Sequence, residues 1–102
     1  MSRRKGAAFE REVANLIRDH LGFEAKRNLM QTAEGGHDLL GVPGWAIECK
    51  RYAKVTPADI KTFWLQCEVQ AKLVNSLTAL FVKQDRKPIQ DYINWLGTGS
   101  DC

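Results

Sequence analysis

Three charged residues, Asp38, Glu48 and Lys50, stand in an otherwise apolar stretch of the chain. On a β-strand, Glu48 and Lys50 would share one face, because side chains alternate along a strand. Pro43-Gly44 suits a tight turn that would fold the chain back and bring Asp38 near Glu48. Two carboxylates that close repel each other unless a cation lies between them. The pattern therefore predicts a divalent-metal site beside a lysine.

Such a set of groups suits phosphodiester hydrolysis. Carboxylate oxygens are ligands that Mg²⁺ prefers, and the main-chain carbonyl of Cys49 could add another oxygen. The ion would activate water and stabilise charge on a phosphate, while the Lys50 ammonium could orient the water or stabilise the same charge. The alternative is that Glu48 and Lys50 form an exposed ion pair and that Asp38 only begins a strand, since Glu-x-Lys triplets are common by chance.

A helix over residues 6–21 supplies a further acid. Gly22 follows it as a stop signal, and its apolar face is marked at three- and four-residue steps by Phe9, Val13, Leu16, Ile17 and His20. Glu10 lies at the edge of this stripe, whereas Glu12 points away. A partly buried acid needs a partner, so Glu10 is a candidate third acid or indirect metal ligand. An ordinary boundary charge paired with an arginine is the alternative.

The remaining elements follow from the hydrophobic pattern. Thr56 can cap a second helix, with Pro57 at its first position and Asp59 in its first turn. We expect strands over residues 23–29, 37–42, 45–52 and 77–82, this second helix from Thr56 to about Val74, and a last short helix over residues 88–96. The order is helix, three strands, helix, strand, helix. It predicts one α/β domain covering residues 1–102.

Three parts of the chain resemble the PD-(D/E)xK nuclease superfamily, and more closely the archaeal-type Holliday junction resolvases and their phage relatives. They are the opening RKGAAFERE over residues 4–12, Gly22-Phe23 with Arg27 close behind, and Asp38 with Glu48-Cys49-Lys50. They cover about the first half of the chain. The resemblance implies a restriction-endonuclease-like αβββαβ core, with a mixed central sheet flanked by helices, and the predicted order of elements agrees with it.

The resemblance also implies a Mg²⁺-dependent DNA endonuclease, with Mn²⁺ able to substitute. The implied catalytic residues are Glu10, Asp38, Glu48 and Lys50, and the implied metal ligands are Asp38, Glu48, Cys49 and Glu10. Arg11 and Arg27 match positions that resemble the family's phosphate-contacting arginines. Related resolvases carry a serine in the loop before the residue that matches Asp38, and Thr32 is the hydroxyl residue of this chain nearest to that position. His37 stands where the superfamily name places a proline, and it could instead touch the phosphate.

The composition fits a soluble globular protein, and its mildly basic charge is by itself a weak signal for nucleic-acid binding. Hydrophobic residues make up 44% and charged residues 26%, and the formal net charge is +3. The three cysteines suggest neither a disulfide framework nor a zinc site. No apolar run approaches the roughly 20 residues that span a bilayer, and no signal-like apolar core follows the basic N-terminus. We therefore expect a location in the cytoplasm of a bacterial, archaeal or phage-infected host cell.

Basic residues near the predicted site could follow DNA phosphates without reading base sequence. Together with Thr32, the predicted DNA-binding residues are Arg3, Arg4, Lys5, Arg11, Arg27, Arg51 and Lys54. Gln66 and Gln70 could reach the same site, although a solvated helix flank is the simpler interpretation.

Six apolar residues could form a subunit interface or close the edge of the core: Trp64, Leu65, Tyr92, Ile93, Trp95 and Leu96. The resemblance implies a two-fold dimer that presents two active sites to a four-way junction. Three functions remain open: a junction resolvase active in DNA recombination and repair, a nuclease for duplex, flap or nicked DNA, and a non-catalytic DNA-binding module.

Overall fold

In the computed structural model, residues 2–30 and 37–93 are described, and within them a five-stranded mixed sheet packs against two helices. The elements are α1 (Ser2–Leu21), β1 (Lys26–Arg27), β2 (Leu39–Leu40), β3 (Trp45–Tyr52), α2 (Pro57–Leu73), β4 (Leu77–Gln84) and β5 (Gln90–Ile93). The strands lie side by side in chain order. Neighbours are antiparallel except β3 and β4, which are parallel and joined through α2. The predicted α/β fold and its αβββαβ core are confirmed.

The two helices cover opposite faces of the sheet. The α1-side core contains Phe9, Val13, Ala14 and Ile17 of the helix, together with Ile47, Cys49 and Ala79 of the sheet. The α2-side core contains Ile60, Trp64 and Cys67 with Leu80 and Val82. Odd-numbered residues of β3 therefore enter the first core, and even-numbered residues face α2. The apolar stripe of α1 is narrower than predicted, because Leu16 and His20 are exposed.

The start of α2 follows the sequence signals closely. The Thr56 hydroxyl accepts a hydrogen bond from the Asp59 amide at 3.1 Å, and the Asp59 carboxylate accepts one from the Thr56 amide at 2.9 Å. This capping box, with Pro57 as the first helical residue, satisfies backbone donors that the first turn leaves open. It fixes where the β3–α2–β4 crossover begins.

The predicted hairpin between β2 and β3 is also present. The Trp45 amide donates to the Val42 carbonyl at 3.2 Å, with Pro43 and Gly44 at the two central turn positions. Gly44 has a positive φ of 81°, as the third residue of a type II turn requires. β1 and β2 are two residues each, shorter than predicted, and just beyond β2 the chain at Gly41 passes directly against the backbone of Glu24.

Gly41→Ala is expected to destabilise the protein by roughly 3 kcal/mol or more. Gly41 has a φ of 94°, and a Cβ there would lie 2.2 Å from the Glu24 carbonyl oxygen. The matched control is Gly44→Ala, which has a similar φ but open space around the added carbon and should cost about 1–2 kcal/mol. Urea unfolding measures both. Equal losses would show that backbone conformation alone, and not the close approach, restricts Gly41.

The helix predicted over residues 88–96 is wrong in its described part, where the chain forms β5 against β4. Ile89, Tyr92 and Ile93 recur at a spacing that also suits a helix. Ile89 instead packs on the α1-side core and Tyr92 on the α2-side core, as strand alternation requires. Pairing also satisfies the edge of β4, which would otherwise expose unpaired backbone groups. Residues 94–96 lie outside the described residues.

No helix in the described part of the chain is long and apolar enough to cross a membrane.

Candidate active site

The hairpin brings Asp38 and Glu48 together as predicted. The Asp38 amide donates to the Ile47 carbonyl at 2.9 Å, which holds Asp38 beside β3. Its carboxylate in turn accepts a hydrogen bond from the Cys49 amide at 2.7 Å. Both acids are buried, with 8% of each residue exposed. The pair is thus built into the sheet at its central strand, and the alternative of an exposed Glu48–Lys50 ion pair is wrong because Glu48 is buried.

Glu48 lies in an environment that disfavours its charge. Burial, and after it the neighbouring charge of Asp38, raises the pKa of Glu48 to about 8, although the Lys50 ammonium acts in the opposite direction. The Oε2 atom of Glu48 is buried and has no hydrogen-bond partner in the described part of the chain. A buried carboxylate oxygen without a donor is costly in a folded protein. The site therefore favours a cation that would bind this oxygen.

The oxygens around the pair fit a hard divalent ion. The N–H and C=O of a strand residue point to the same edge, so the Cys49 carbonyl faces the side of β3 on which its amide meets Asp38. Across residues 6–30 and 37–93, no three His, Cys, Asp or Glu side chains form a ready-made metal cluster. Two carboxylates, a carbonyl and water are the donor set of a Mg²⁺ site that stays open to substrate.

The two described cysteine side chains are buried free thiols. Burial, with a smaller effect of nearby acids, raises the pKa of the Cys49 thiol, and burial raises that of Cys67 to about 12. Both thiols are therefore neutral at physiological pH and are poor ligands or nucleophiles. Any contribution of Cys49 to a metal site would come from its main chain.

Lys50 lies on the same face of β3 as Glu48, and the residues packed around it restrict its side chain. Its ammonium lies 5.6 Å from the centre of the Phe63 ring of α2, within cation–π range. Phe63 also stacks on Tyr52, with ring centres 5.4 Å apart. The sequence did not single out Phe63, because the contact joins two elements whose relative position only the fold decides.

Glu10 occupies the position predicted at the edge of the α1 stripe. Its side chain is 14% exposed and accepts a 2.9 Å hydrogen bond from Arg27 Nε, whereas Glu12 is exposed. Burial raises the pKa of Glu10, and the Asp38 charge adds to the effect, whereas the bond to Arg27 opposes it. Glu10 is thus paired with an arginine, as one interpretation expects, and it also lies close enough to Asp38 for their charges to interact. Its part as a metal ligand stays a prediction.

Asn28 is a positioning residue that the sequence did not indicate. Its side-chain amide donates to the His37 carbonyl at 2.9 Å, and its backbone amide donates to the Asp38 carbonyl at 2.8 Å. Its Oδ1 accepts a hydrogen bond from the Met30 amide at 3.0 Å. Asn28 therefore joins the end of β1 to the segment that carries Asp38. This contact follows from the way β1 pairs with β2, which the sequence alone does not show.

With Asp38 as the metal ligand that the sequence predicts, Asn28→Ala is expected to lower the turnover number of DNA cleavage about 10- to 100-fold, the usual cost of losing a group that orients such a ligand. Stability should fall by about 1–3 kcal/mol, because the side-chain hydrogen bonds to the His37 carbonyl and from the Met30 amide are both lost. Ser76→Ala is the control, since the Ser76 hydroxyl bonds only the Val74 carbonyl among the described residues, at the end of α2 and outside the basic groove. If Asn28 positions Asp38, the Mg²⁺ concentration that gives half-maximal activity should rise together with the loss of turnover. If the substitution only destabilises the fold, that concentration should stay unchanged.

A basic groove lies beside Glu10, between α1 and β1. It has a volume of about 370 Å³, and its cationic lining residues are Arg11, Arg18, Lys26 and Arg27. Arg18 was missed in the sequence, although it follows Arg11 at helical spacing. Its guanidinium also bonds the Ala25 carbonyl at 2.5 Å, which fixes it against the loop before β1. Among the described residues that line the groove there is no acid, which suits a phosphate backbone.

The other predicted DNA-binding residues are more scattered. Lys54 is exposed beyond the end of β3. Arg51 pairs with Asp85 at 3.2 Å and, by strand alternation, faces away from Glu48 and Lys50. Thr32 lies outside the described residues. The backbone of Arg3, Arg4 and Lys5 lies in the first turns of α1, but their side chains are outside the described part.

Comparisons with known proteins agree with this geometry. Residues 1–94 match the model of a protein family described as "Phage putative PDDEXK endonuclease". Among solved structures, the chain is similar to Hjc of Archaeoglobus fulgidus, a Holliday junction resolvase from an archaeal hyperthermophile. The TM-score is 0.60 at 20% identity, over 88% of this chain and 73% of the other. At that identity the likeness shows the fold. No curated protein matches the chain.

The family match covers both the helix that carries Glu10 and the hairpin that carries Asp38, Glu48 and Lys50. The structure independently places Glu48 and Lys50 on the central strand β3 of a restriction-endonuclease-like sheet, Asp38 beside that strand, and Glu10 close enough to Asp38 for their charges to interact. The chain belongs to the phage PDDEXK endonuclease family.

Proposed function

We propose that this endonuclease is Mg²⁺-dependent and that Asp38, Glu48 and Lys50 form its active site. The observation that carries the proposal is the buried, unpaired Oε2 of Glu48 next to Asp38, with Lys50 on the same strand face. These groups match the roles that phosphodiester hydrolysis needs. Mn²⁺ should substitute for Mg²⁺, because it also prefers oxygen ligands.

Each residue has a distinct part in this mechanism. Asp38, Glu48 and the Cys49 carbonyl would hold the ion, which would supply Lewis-acid stabilisation of charge on the phosphate. Lys50, restrained by Phe63, would donate to the phosphate oxygens or orient the attacking water. The negative charge of Glu10 would change the electrostatic potential at Asp38. Its ion pair with Arg27 would hold that arginine at the basic groove. Asn28 would keep Asp38 in place.

The proposed substrate is branched DNA, in particular a four-way junction. Support comes from the likeness in fold to a Holliday junction resolvase and from the basic groove beside the acids, which suits backbone phosphates and therefore shape more than sequence. Recombination and repair are the processes that such an activity would serve. Nucleases that act on duplex, flap or nicked DNA share the same chemistry, so the substrate needs its own test.

The test incubates the protein and Mg²⁺ with a four-way junction, a flap, a nicked duplex, a linear duplex and a single strand, each labelled on one strand at a time. Paired symmetric nicks near the branch point are expected, and Asp38→Asn and Glu48→Gln should abolish them. Equal cleavage of the linear duplex would overturn the junction specificity. Cleavage that survives both substitutions would overturn the proposed active site. DNA binding without any cleavage would favour the non-catalytic module.

We also propose that two copies of the chain assemble on the junction. Of the six apolar residues singled out in the sequence, Trp64 is buried and Tyr92 half-buried within the α2-side core, whereas Leu65 and Ile93 are exposed. Leu65 begins an exposed apolar stripe on α2, which continues at helical spacing through Val69 and Leu73. Trp95 and Leu96 lie outside the described residues. Leu65→Lys with Leu73→Lys should convert a dimer to a monomer in sedimentation experiments.

A further inference from the structure

We propose that a second pocket, at the far end of the catalytic strand face, binds an unstacked nucleotide of the DNA strand being cut. This inference rests on the proposed function, because it concerns the DNA that lies on the same site. The pocket has a volume of about 340 Å³ and lies between the start of α2 and the β4–β5 hairpin. The residues that matter to the argument are Pro57, Gln84, Lys87, Gln90 and Tyr92.

The pocket continues the row of catalytic side chains. Glu48, Lys50 and Tyr52 alternate onto the α2 face of β3, and Tyr52 is paired with Gln84 on β4. Gln84 is a lining residue of the pocket. Four residues of strand separate Glu48 from Tyr52, about 13 Å. A DNA strand whose phosphate lies at the acids therefore has its neighbouring nucleotides within reach of the pocket.

The polar groups of the pocket can donate hydrogen bonds but include no acid. Gln84 Oε1 accepts from the Val55 amide at 2.8 Å, and Gln90 Oε1 accepts from the Tyr92 hydroxyl at 3.2 Å. Each bond uses the amide oxygen, so both side-chain NH₂ groups lack a partner within residues 6–30 and 37–93. Lys87, which is exposed, adds a positive charge, and no Asp or Glu is found among the described residues that line the pocket. The complementary ligand is rich in acceptor oxygens and negatively charged.

The walls of the pocket are apolar and partly flat. Pro57 and Tyr92 face it, with aliphatic side chains at its floor. Next to it, Tyr52 is 42% exposed and stacks on Phe63, which forms an aromatic surface between the pocket and Lys50. Nucleobases stack on aromatic side chains, and their carbonyl groups accept hydrogen bonds from amides. A nucleotide fits both features: its planar base can stack on the apolar walls, and its carbonyl and phosphate oxygens can accept hydrogen bonds from the amide and ammonium groups.

A base can enter this pocket only after it leaves the helical stack. Unstacking is least costly where the base is already unpaired or next to a branch point. The pocket would thus make the enzyme prefer DNA that is distorted close to the scissile phosphate, which supplies a physical basis for structure selectivity. The sequence carried no sign of it, because its lining comes from three separate segments.

The test combines a base-deletion scan with a substitution in the pocket. A junction is prepared with one abasic nucleotide at each position on either side of the cleavage point. For the unsubstituted protein, KM should rise about 5- to 100-fold at one position, the range expected for one stacked base. Lys87→Ala with Gln90→Ala should raise KM for the intact junction to a similar extent and should make that abasic position neutral. Lys72→Ala, an exposed lysine at the other end of α2, is the charge-matched control.

A measurement that does not need cleavage separates this proposal from the proposed function. Thymidine 3′,5′-bisphosphate added to the isotope-labelled protein should shift the amide and side-chain NMR signals of Gln84 and Gln90. Normal junction cleavage without these shifts and without a sensitive abasic position would overturn the pocket and leave the nuclease intact. Shifts in a protein that cleaves no DNA would support a nucleotide pocket and overturn the catalytic proposal.

Discussion

Asp38→Asn and Glu48→Gln are each expected to lower the rate of DNA cleavage by about 10³-fold or more while the protein stays folded. Both substitutions remove a charge that would hold the ion, and the several kcal/mol of transition-state stabilisation that a metal supplies correspond to this factor. The asparagine can still accept the hydrogen bond from the Cys49 amide, so the hairpin should remain intact. Single-turnover cleavage of a junction in Mg²⁺ measures the loss.

Binding must be followed in the same variants, since a lost rate is informative only if DNA still reaches the site. Fluorescence anisotropy in Ca²⁺ should show a Kd within about threefold of the unsubstituted protein, because backbone contacts by basic residues supply most of the affinity. A variant that binds normally and cleaves at the original rate would contradict the assignment.

Graded losses should follow the distance of each residue from the chemistry. Lys50→Ala should lower the rate about 10²- to 10³-fold, as expected for removing one group that stabilises developing charge. Glu10→Gln should lower it about 10- to 100-fold, because Glu10 acts through Asp38 and Arg27. Glu12→Gln on the exposed side of α1 is the matched control and should have no effect.

The placement of the proposed catalytic residues could be predicted because each position depends on a local pattern. Strand alternation places Glu48 and Lys50 on one face, a Pro-Gly turn returns the chain so that Asp38 meets Glu48, and helix periodicity separates Glu10 from Glu12. Each of these three patterns relates residues that lie fewer than about 15 positions apart in the sequence. The structure confirms the hairpin and the burial of both acids.

The residues that escaped prediction depend on contacts between distant segments. Phe63 meets Lys50 only because α2 crosses back over β3. Arg51, expected to contact DNA, pairs with Asp85 at a separation of 34 residues. β5 was mistaken for a helix because its apolar spacing fits both structures, and the choice between them is made by the edge of β4. Tertiary context thus decides what the local pattern leaves open.

Metal-free protein is expected to lose stability as the pH rises from about 5 to above 8, and Glu48→Gln should remove much of that loss. The folded state holds a proton on Glu48 up to a pKa of about 8, whereas an ordinary glutamate releases it near 4.5. Between those values the folded state binds more protons than the unfolded state, so stability falls with rising pH. Above pH 8 the difference should be on the order of a few kcal/mol.

Thermal unfolding in EDTA tests directly whether stability falls as the pH rises. At pH 5 the unsubstituted protein and Glu48→Gln should unfold at similar temperatures, because a protonated glutamate and a glutamine are both neutral. At pH 8.5 the variant should unfold on the order of 10 °C higher, from the usual relation between free energy and Tm in small domains. A variant that is less stable at both pH values would show that Glu48 contributes packing and not an unfavourable charge.

Mg²⁺ should reverse the pH effect, because the ion and the proton compete for Glu48. The rise in Tm on adding Mg²⁺ should therefore be larger at pH 8.5 than at pH 6 for the unsubstituted protein, since binding to the folded state alone stabilises it by mass action. Glu48→Gln and Asp38→Asn should respond weakly at both pH values. A Mg²⁺ response that is independent of pH, or that persists in both variants, would place the ion elsewhere, because only a site containing these two carboxylates links metal binding to the proton of Glu48.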